Sequence, residues 1–336
     1  MRHLKKIRLS ICIATMNRAF YLKQLLELII NQYQDNVELV IVDGASTDET
    51  YDVIVTAQMK ISNIQYIRLK EKRGVDRDFS LAVNKANGEF CWLLPDDDLI
   101  KPTAIKNILF MINKNTNLII VNAEIWSKEM DFLLASKTVK IKNNEEYNRN
   151  NFDNFFISFS NHISFIGSVV IRKSVWNKRQ KHKYFGSWFV HVGIIFQDVL
   201  DGIKVMADPM IMIRYGNASW STKSFEITLF KWPKLIWSFE LFEDSDKKKV
   251  VREFPWQNLA RIALFKARGA FSIREYNLFI KDKITFHKKL LFWTILIVPG
   301  IFFNFLFLIY FNIFRWKYKD WKLHIYDLKN SINYYK

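Results

Sequence analysis

Asp96, Asp97 and Asp98 stand together directly after the apolar run EFCWLLP (89–95). Adjacent carboxylates repel one another, and placing them at the end of a buried strand is costly. A divalent cation relieves that cost. Mg2+ and Mn2+ prefer oxygen ligands, often one or two carboxylates completed by substrate phosphates, and offset the charge that builds on a departing diphosphate. The same residues open DDDLIKPTAIKNIL, so an aspartate acting as a helix cap is a second reading. The two are compatible if one aspartate caps while another ligates. Other apolar runs also end in polar groups. RLSICIA (8–14) leads into Thr15, Met16, Asn17 and Arg18, and VELVIV into Asp43-Gly44. The Asp43 carboxylate could accept hydrogen bonds from a base or ribose, or merely shape a turn. Asp48 has the same two readings and could also cap a helix. Thr15 to Arg18 could present backbone N–H groups to a nucleotide.

The elements between these clusters alternate. Phe20, Leu22, Leu25, Leu26, Ile29 and Ile30 recur at helical spacing. VELVIVD (37–43), NIQYIRL (63–69) and EFCWLLP read as strands. GASTDET is a turn in which Ser46 or Thr47 could cap the next helix. Asp78 to Ala86 reads as a helix stopped by Asn87-Gly88. Strands buried on both faces and alternating with helices predict an α/β fold with a mostly parallel central sheet. Ligands of such sheets bind beyond the carboxyl ends of the strands, where these polar clusters fall. Further on, NLIIVNAEIW (117–126) reads as a strand, KNNEEYNRNN (142–151) as a loop, and FIGSVVIRKSVW (165–176) as a strand entering a helix.

The 336 residues carry a formal charge of +17, which favours an anionic partner: nucleic acid, an anionic membrane or a phosphorylated substrate. No nucleic-acid-binding motif accompanies the charge, and the acids gather where the site is expected, so nucleic acid is not an expected partner. Cys12 and Cys91 lie inside strand-like runs without metal or disulfide spacing and read as reduced, buried residues. The basic start MRHLKKIRLS is followed by too short an apolar stretch for a secretory signal, which places the catalytic part in the cytoplasm.

Three stretches, SICIATMNRAFYLKQLLELI, VELVIVDGASTDET and KRGVDRDFSLAVNKANGEFCWLLPDDD, together resemble glycosyltransferase family 2, whose members have the GT-A fold. The likeness covers roughly residues 8–105. The GVDRDF and ANG segments are most similar to the abequosyltransferase-type branch that builds bacterial O-antigen repeats. The resemblance implies a nucleotide-diphosphate sugar as donor and Mg2+ or Mn2+ as cofactor. It implies that Asp43 contacts the base or ribose, that Asp76 and Arg77 lie near the nucleotide, that Asp96 and Asp98 bind the metal, and that Asp97 faces the donor sugar. Many members carry a Glu-Asp pair at a helix start in the acceptor half. Here that stretch reads YFGSWFVHVGIIFQDV (184–199), with His191 where the acids are expected. His191 could take the acceptor's proton as a neutral imidazole or be a packed helix residue; Asp198 is the alternative base. In MIRYGNASWSTKSF (212–225), a segment that can fold over the donor in the family, Arg214 could grip the diphosphate and Trp220 stack on a sugar or close the lid, or both could be ordinary loop and core anchors. An inactive GT-A scaffold, a nucleic-acid-binding basic protein and a sugar nucleotidyltransferase are the competing readings. ATMNRAF lacks the glycines of a nucleotidyltransferase phosphate loop, and the missing Glu-Asp pair supports the scaffold.

Leu290 to Phe314 is 25 residues without a charge. A single helix of that length would run roughly 37 Å, enough to cross a bilayer, but Pro299-Gly300 interrupts it. Both flanks are basic, so a re-entrant or interfacial seat keeps both on one face; a span and a buried helix pair are the other readings. Trp293, Trp316, Tyr318 and Trp321 suit a headgroup zone. The expected organisation is a GT-A catalytic domain over 1–228, with a nucleotide-binding half (1–105) and an acceptor half (106–228). A helical extension (229–285) and a membrane-associating segment (286–336) follow. The implied partners are a polyprenyl-diphosphate-linked saccharide acceptor and the inner-leaflet surface, which locates the protein at the cytoplasmic face of the bacterial inner membrane.

Overall fold

The computed structural model describes residues 6–217, 223–317 and 320–334. Trp220 and Tyr318, singled out above, lie outside them. The chain forms two compact units, Met1–Tyr215 with Phe239–Asp246, and Gly216–Ser238 with Lys247–Lys336.

The first unit begins with three strand–helix repeats: β1 (Leu9–Thr15), α1 (Ala19–Ile30), β2 (Val37–Asp43), α2 (Thr50–Gln58), β3 (Ile64–Arg68) and α3 (Val75–Lys85). It continues through β4 (Phe90–Leu93), β5 (Leu99–Ile100), α4 (Ala104–Met111), β6 (Leu118–Trp126), β7 (Leu133–Ala135) and β8 (Glu145–Tyr147). It closes with α5 (Phe152–Ile163), β9 (Val169–Arg172), α6 (Lys173–Lys178), α7 (Val190–Phe196) and β10 (Ile203–Arg214). The sheet order is β3-β2-β1-β4-β9-β6-β10-β5, with β7 on β6 and β8 on β10.

The first four strands of that order are parallel, as are β6 and β10; β9 runs antiparallel to both β4 and β6. The expected mostly parallel sheet is therefore mixed. The run 142–151, read as a loop, contains β8, which adds to β10 antiparallel. Every residue of β2 is buried, as expected for a strand covered on both faces. One core layer joins Ile11, Ile13, Leu39, Ile41 and Trp92 of the sheet to Leu22, Leu25 and Ile29 of α1 and Ile105 and Ile108 of α4. A second, aromatic cluster gathers Phe152, Phe156, Phe196 and Phe242, with Phe156 and Phe242 stacked at 3.8 Å.

Register decides which side chains meet at the carboxyl edge. Thr15 of β1 pairs with Asp43 of β2, and Asp43 with Arg68 of β3. β10 reaches the same region by an irregular path. Its pairing with β6 slips around Pro209, whose missing N–H makes a regular ladder impossible there. The fully buried Asn122 of β6 fastens the slip. Its Nδ2 donates to the carbonyls of Val139 and Ala207, both at 2.8 Å, and its Oδ1 accepts from Thr138 Oγ1 and Val139 N at 3.0 Å. No apolar side chain can satisfy those groups. Asn122→Leu is expected to lower stability by about 2–4 kcal/mol, because it leaves buried backbone groups without partners. The check is a fall in the urea midpoint with an unchanged slope.

Candidate functional site

β4 delivers the three aspartates, and α1 and β10 deliver two arginines to them. Asp97 Oδ2 accepts from Arg18 Nη1 at 3.2 Å. Asp98 Oδ1 accepts from the backbone N–H of Arg214 at 2.8 Å. The Arg214 side chain turns inward: Nε donates to the Asp97 carbonyl (3.0 Å), Nη1 to the Lys128 carbonyl (3.0 Å) and Nη2 to Gln24 Oε1 (2.7 Å). Both guanidinium groups lie over the ring of Tyr21, Arg18 at 5.5 Å and Arg214 at 5.2 Å. Arg214 is buried and its fork is committed to protein oxygens, which corrects the expectation of a bidentate diphosphate grip. It is a brace for the acidic turn. Tyr21 and Gln24 are missing from the sequence reading. Tyr21 sits one helical turn after Arg18, a spacing that could have revealed it; Gln24 offers no such signal.

The offset of negative charge is incomplete. Burial, reinforced by the charge of Asp97, pushes the Asp96 carboxyl up to about 7, against the opposing pull of Arg18 and Thr15. Burial and Asp97 also hold Asp98 well above the usual carboxylate range, against the Arg214 N–H. Thr15 Oγ1 is buried beside the Asp96 carboxyl. This all-oxygen donor set fits Mg2+ or Mn2+. Among the described residues there is no group of three or more His, Cys, Asp or Glu that could hold a metal ion; Mg2+ commonly takes one or two carboxylates together with substrate phosphates.

The neighbouring loops are tied to one another. Asn17, in the left-handed region at φ 54°, accepts from Thr47 N at 2.7 Å, and its own N–H donates to Ser46 Oγ. Asp48 accepts from Ala19 N at the start of α1 and from Thr50 N at the start of α2. It therefore fills the capping role that Ser46 or Thr47 was expected to take. Asp43 is fully buried; Oδ1 accepts from Ser46 N at 2.8 Å and Oδ2 from Tyr66 Oη at 2.7 Å.

Asp76 does something the sequence did not suggest. Its carboxylate accepts from the backbone N–H groups of Gly186 (2.8 Å), Trp188 (2.9 Å) and Val190 (3.0 Å). Gly186 and Trp188 have φ of 85° and 76°, a region a bulky residue rarely enters. Asp76 thus clamps a strained loop at the start of α7, while Arg77 lies over the Phe185 ring at 5.6 Å. His191, on the same helix, is 1% exposed, and its Nε2 faces the Ile163 carbonyl at 2.8 Å. Burial lowers its pKa to about 4. Of the two readings given for it, the structure has the packed helix residue and not the base, since the ring lies in the core against a carbonyl. Asp198, by contrast, has a 74% exposed side chain and lies 3.9 Å from Arg179. The structure thus brings Thr15, Arg18, Asp96, Asp97, Asp98 and Arg214 together, with Asn17 and Asp43 on the adjoining loops.

Two tests follow from this geometry. The folded protein holds a proton on Asp96 that the unfolded chain releases, so this group makes stability fall as pH rises from about 4 to about 7. In EDTA, the wild type is expected to lose on the order of 2–4 kcal/mol relative to Asp96→Asn across that window, read by urea unfolding at each pH. Asp76→Ala frees three N–H groups and is expected to cost about 2–3 kcal/mol. Hydrogen exchange should localise the opening to residues 184–190; protection unchanged there would contradict the clamp.

A glycosyl transferase family 2 profile matches residues 10–182, half of the chain. Abequosyltransferase RfbV of Salmonella typhimurium is 26% identical over 230 residues, covering 64% of this chain and 69% of that protein. The GalNAc(5)-diNAcBac-PP-undecaprenol beta-1,3-glucosyltransferase of Campylobacter jejuni is 24% identical over 181 residues, 54% of this chain and 57% of that one. Among solved structures, S. aureus TarS 1–349 superposes with a TM-score of 0.56 at 17% identity, over 85% of this chain and 77% of that chain, a likeness of fold. With the profile spanning half its length and the architecture in agreement, the chain belongs to glycosyl transferase family 2 and is a glycosyltransferase.

Proposed function

We propose that the enzyme moves a sugar from a nucleotide-diphosphate donor to a saccharide carried on a polyprenyl diphosphate, in bacterial cell-surface polysaccharide assembly at the cytoplasmic face of the inner membrane. The observation that carries this reading is the partly offset carboxylate trio at the end of β4, beside the ends of β1 and β2. Asp96 and Asp98 would hold Mg2+ or Mn2+, which when bound offsets charge on a departing diphosphate. Asp43, oriented by Tyr66 and Ser46, is assigned to the base or ribose. Thr15, Asn17, Arg18 and Arg77 are assigned to the donor side, and Asp97, oriented by Arg18, to the donor sugar. Asp198 precedes Ile203 at the amino end of β10, the end opposite Arg214 and the aspartates, and is not assigned the acceptor proton.

The choice of substrates draws on two relatives: one is named for abequosyl transfer, the other for an undecaprenol-linked acceptor. The formal charge of +17 suits both an anionic donor and an anionic leaflet. The experiment is a thermal-shift panel of UDP-, GDP-, CDP- and dTDP-sugars with and without Mn2+. One nucleotide is expected to raise the melting temperature in a metal-dependent way. Asp98→Ala is expected to abolish both that rise and transfer while remaining folded. Turnover retained by Asp98→Ala with added Mg2+ or Mn2+ would remove the metal assignment. No shift with any donor on folded wild-type protein would overturn the transfer reading.

A further inference from the structure

The second unit carries the charge-free run, and the structure shows how it is held. It forms two helices, Phe286–Ile297 and Gly300–Ile313, bent by 89° at the break between them. Pro299 accounts for the break. No single helix among the described residues is long and apolar enough to cross a membrane. Limbs of 12 and 14 residues reach only about 18–21 Å at the helical rise, short of a hydrocarbon core of about 30 Å.

One face of the second limb is bolted to protein. Asn304 is 2% exposed, and its Nδ2 donates to Ala267 O (3.2 Å), Leu328 O (2.9 Å) and Ser331 Oγ (2.9 Å). Two of those acceptors lie at the ends of the helices Leu259–Ala267 and Trp321–Lys329, where carbonyls lack intrahelical partners. Gly300 packs so closely that an added Cβ would stand 2.3 Å from Asn333 Nδ2. Phe311 stacks on His324 at 4.5 Å. The opposite face is apolar and exposed: Ile301, Phe302, Phe305, Leu306, Ile309 and Ile313. The first limb repeats the arrangement, with Phe292 and Ile295 buried and Phe286, Leu290, Trp293 and Ile297 exposed at helical spacing.

We propose that this bent pair is a one-leaflet seat on an anionic lipid surface, with the outward apolar stripes in the bilayer and the Asn304 face on the protein. The proposal rests on the membrane-surface reading above and deepens it by fixing the mode of attachment. Charge selects lipid as the occupant. Residues 281–289 hold four lysines against one aspartate, and residues 315–329 hold four lysines and an arginine against two aspartates. Such flanks attract acidic headgroups, and the exposed Trp293 and Trp316 suit the interfacial zone. A span would bury one basic flank's charge on the far side and would strip the second limb from its protein partners.

The test is flotation of the full chain with vesicles of phosphatidylcholine alone and of phosphatidylcholine mixed with phosphatidylglycerol. The wild type is expected to float with the mixed vesicles and far less with the neutral ones. The pair Phe305→Glu and Ile309→Glu, both at exposed positions, should lower partition by about tenfold or more while thermal unfolding stays unchanged. Flotation of that variant equal to wild type, or no flotation of the wild type, overturns the seat. A dimer in sedimentation that the same substitutions dissociate, without flotation, assigns the stripe to a second copy instead. For the mode, Lys281→Cys and Lys329→Cys, exposed positions in the two basic flanks, are labelled separately with an impermeant maleimide added outside the vesicles; Cys12 and Cys91 are buried. Labelling at both positions supports one leaflet, and protection of one of them shows a span. Flotation requires no turnover. A protein that floats but ignores every nucleotide sugar would sink the transfer reading and leave the seat standing.

Discussion

Three consecutive carboxylates at the carboxyl end of a buried strand must be offset, and much of the first unit is arranged to do so. The two arginines come from distant parts of the chain, one at the start of α1 and one at the end of β10. Arg18 meets Asp97 through its side chain; Arg214 meets Asp98 through its backbone and the Asp97 carbonyl through its guanidinium. Tyr21 lies beneath both. Arg214 arrives because β10 slips past Pro209, and the slip holds because Asn122 fills the hydrogen-bonding vacancies it creates. A core residue far along β6 is thereby linked to the site's electrostatics. Burial first, and the charge of Asp97 second, hold the Asp96 carboxyl up to about 7 against the pull of Arg18. Buried carboxylates in this state gain from a cation placed beside them.

The clamp by Asp76 joins α3 to the loop before α7. A carboxylate accepting three backbone N–H groups can hold a bulky residue in left-handed backbone, a conformation costing of order 1–3 kcal/mol. Trp188 is held in this way. Here the charge of an acid is used for shape. The same helix buries His191, and burial explains why the imidazole is a poor base: desolvation disfavours its charged form.

The strand–helix repeats up to β4, and the clustering of Thr15, Asp43 and Asp96 to Asp98 at one edge, were legible because buried parallel strands write themselves as continuous runs of Ile, Val and Leu. β10 was not, since Pro209 and Asp208 interrupt its pattern and its irregular pairing is a tertiary matter. The contacts of Asp76, His191 and Arg214 were not legible in the sequence for a shared reason. Residue type states what a side chain can do, while burial and backbone partners decide what it does. An arginine whose fork ends on carbonyls and an aspartate whose oxygens end on N–H groups are indistinguishable in sequence from ligand-binding ones.

The apolar run shows the same limit from the other side. Its length and lack of charge satisfy the composition of a membrane span, yet two residues divide it into limbs too short to cross. A third residue, Asn304, sets which way one limb faces. An amide without partners is costly; the exposed Asn312 bonds back to the Leu308 carbonyl of its own helix, whereas Asn304 turns toward acceptors outside the helix. Here the acceptors are carbonyls at two helix ends, groups that themselves need donors. Satisfying both sets of groups fixes the rotation of the helix about its axis, and the outward stripe of Ile301, Phe305, Ile309 and Ile313 follows from that rotation. A polar residue thus determines the orientation of an apolar surface, and an average over hydropathy cannot register it.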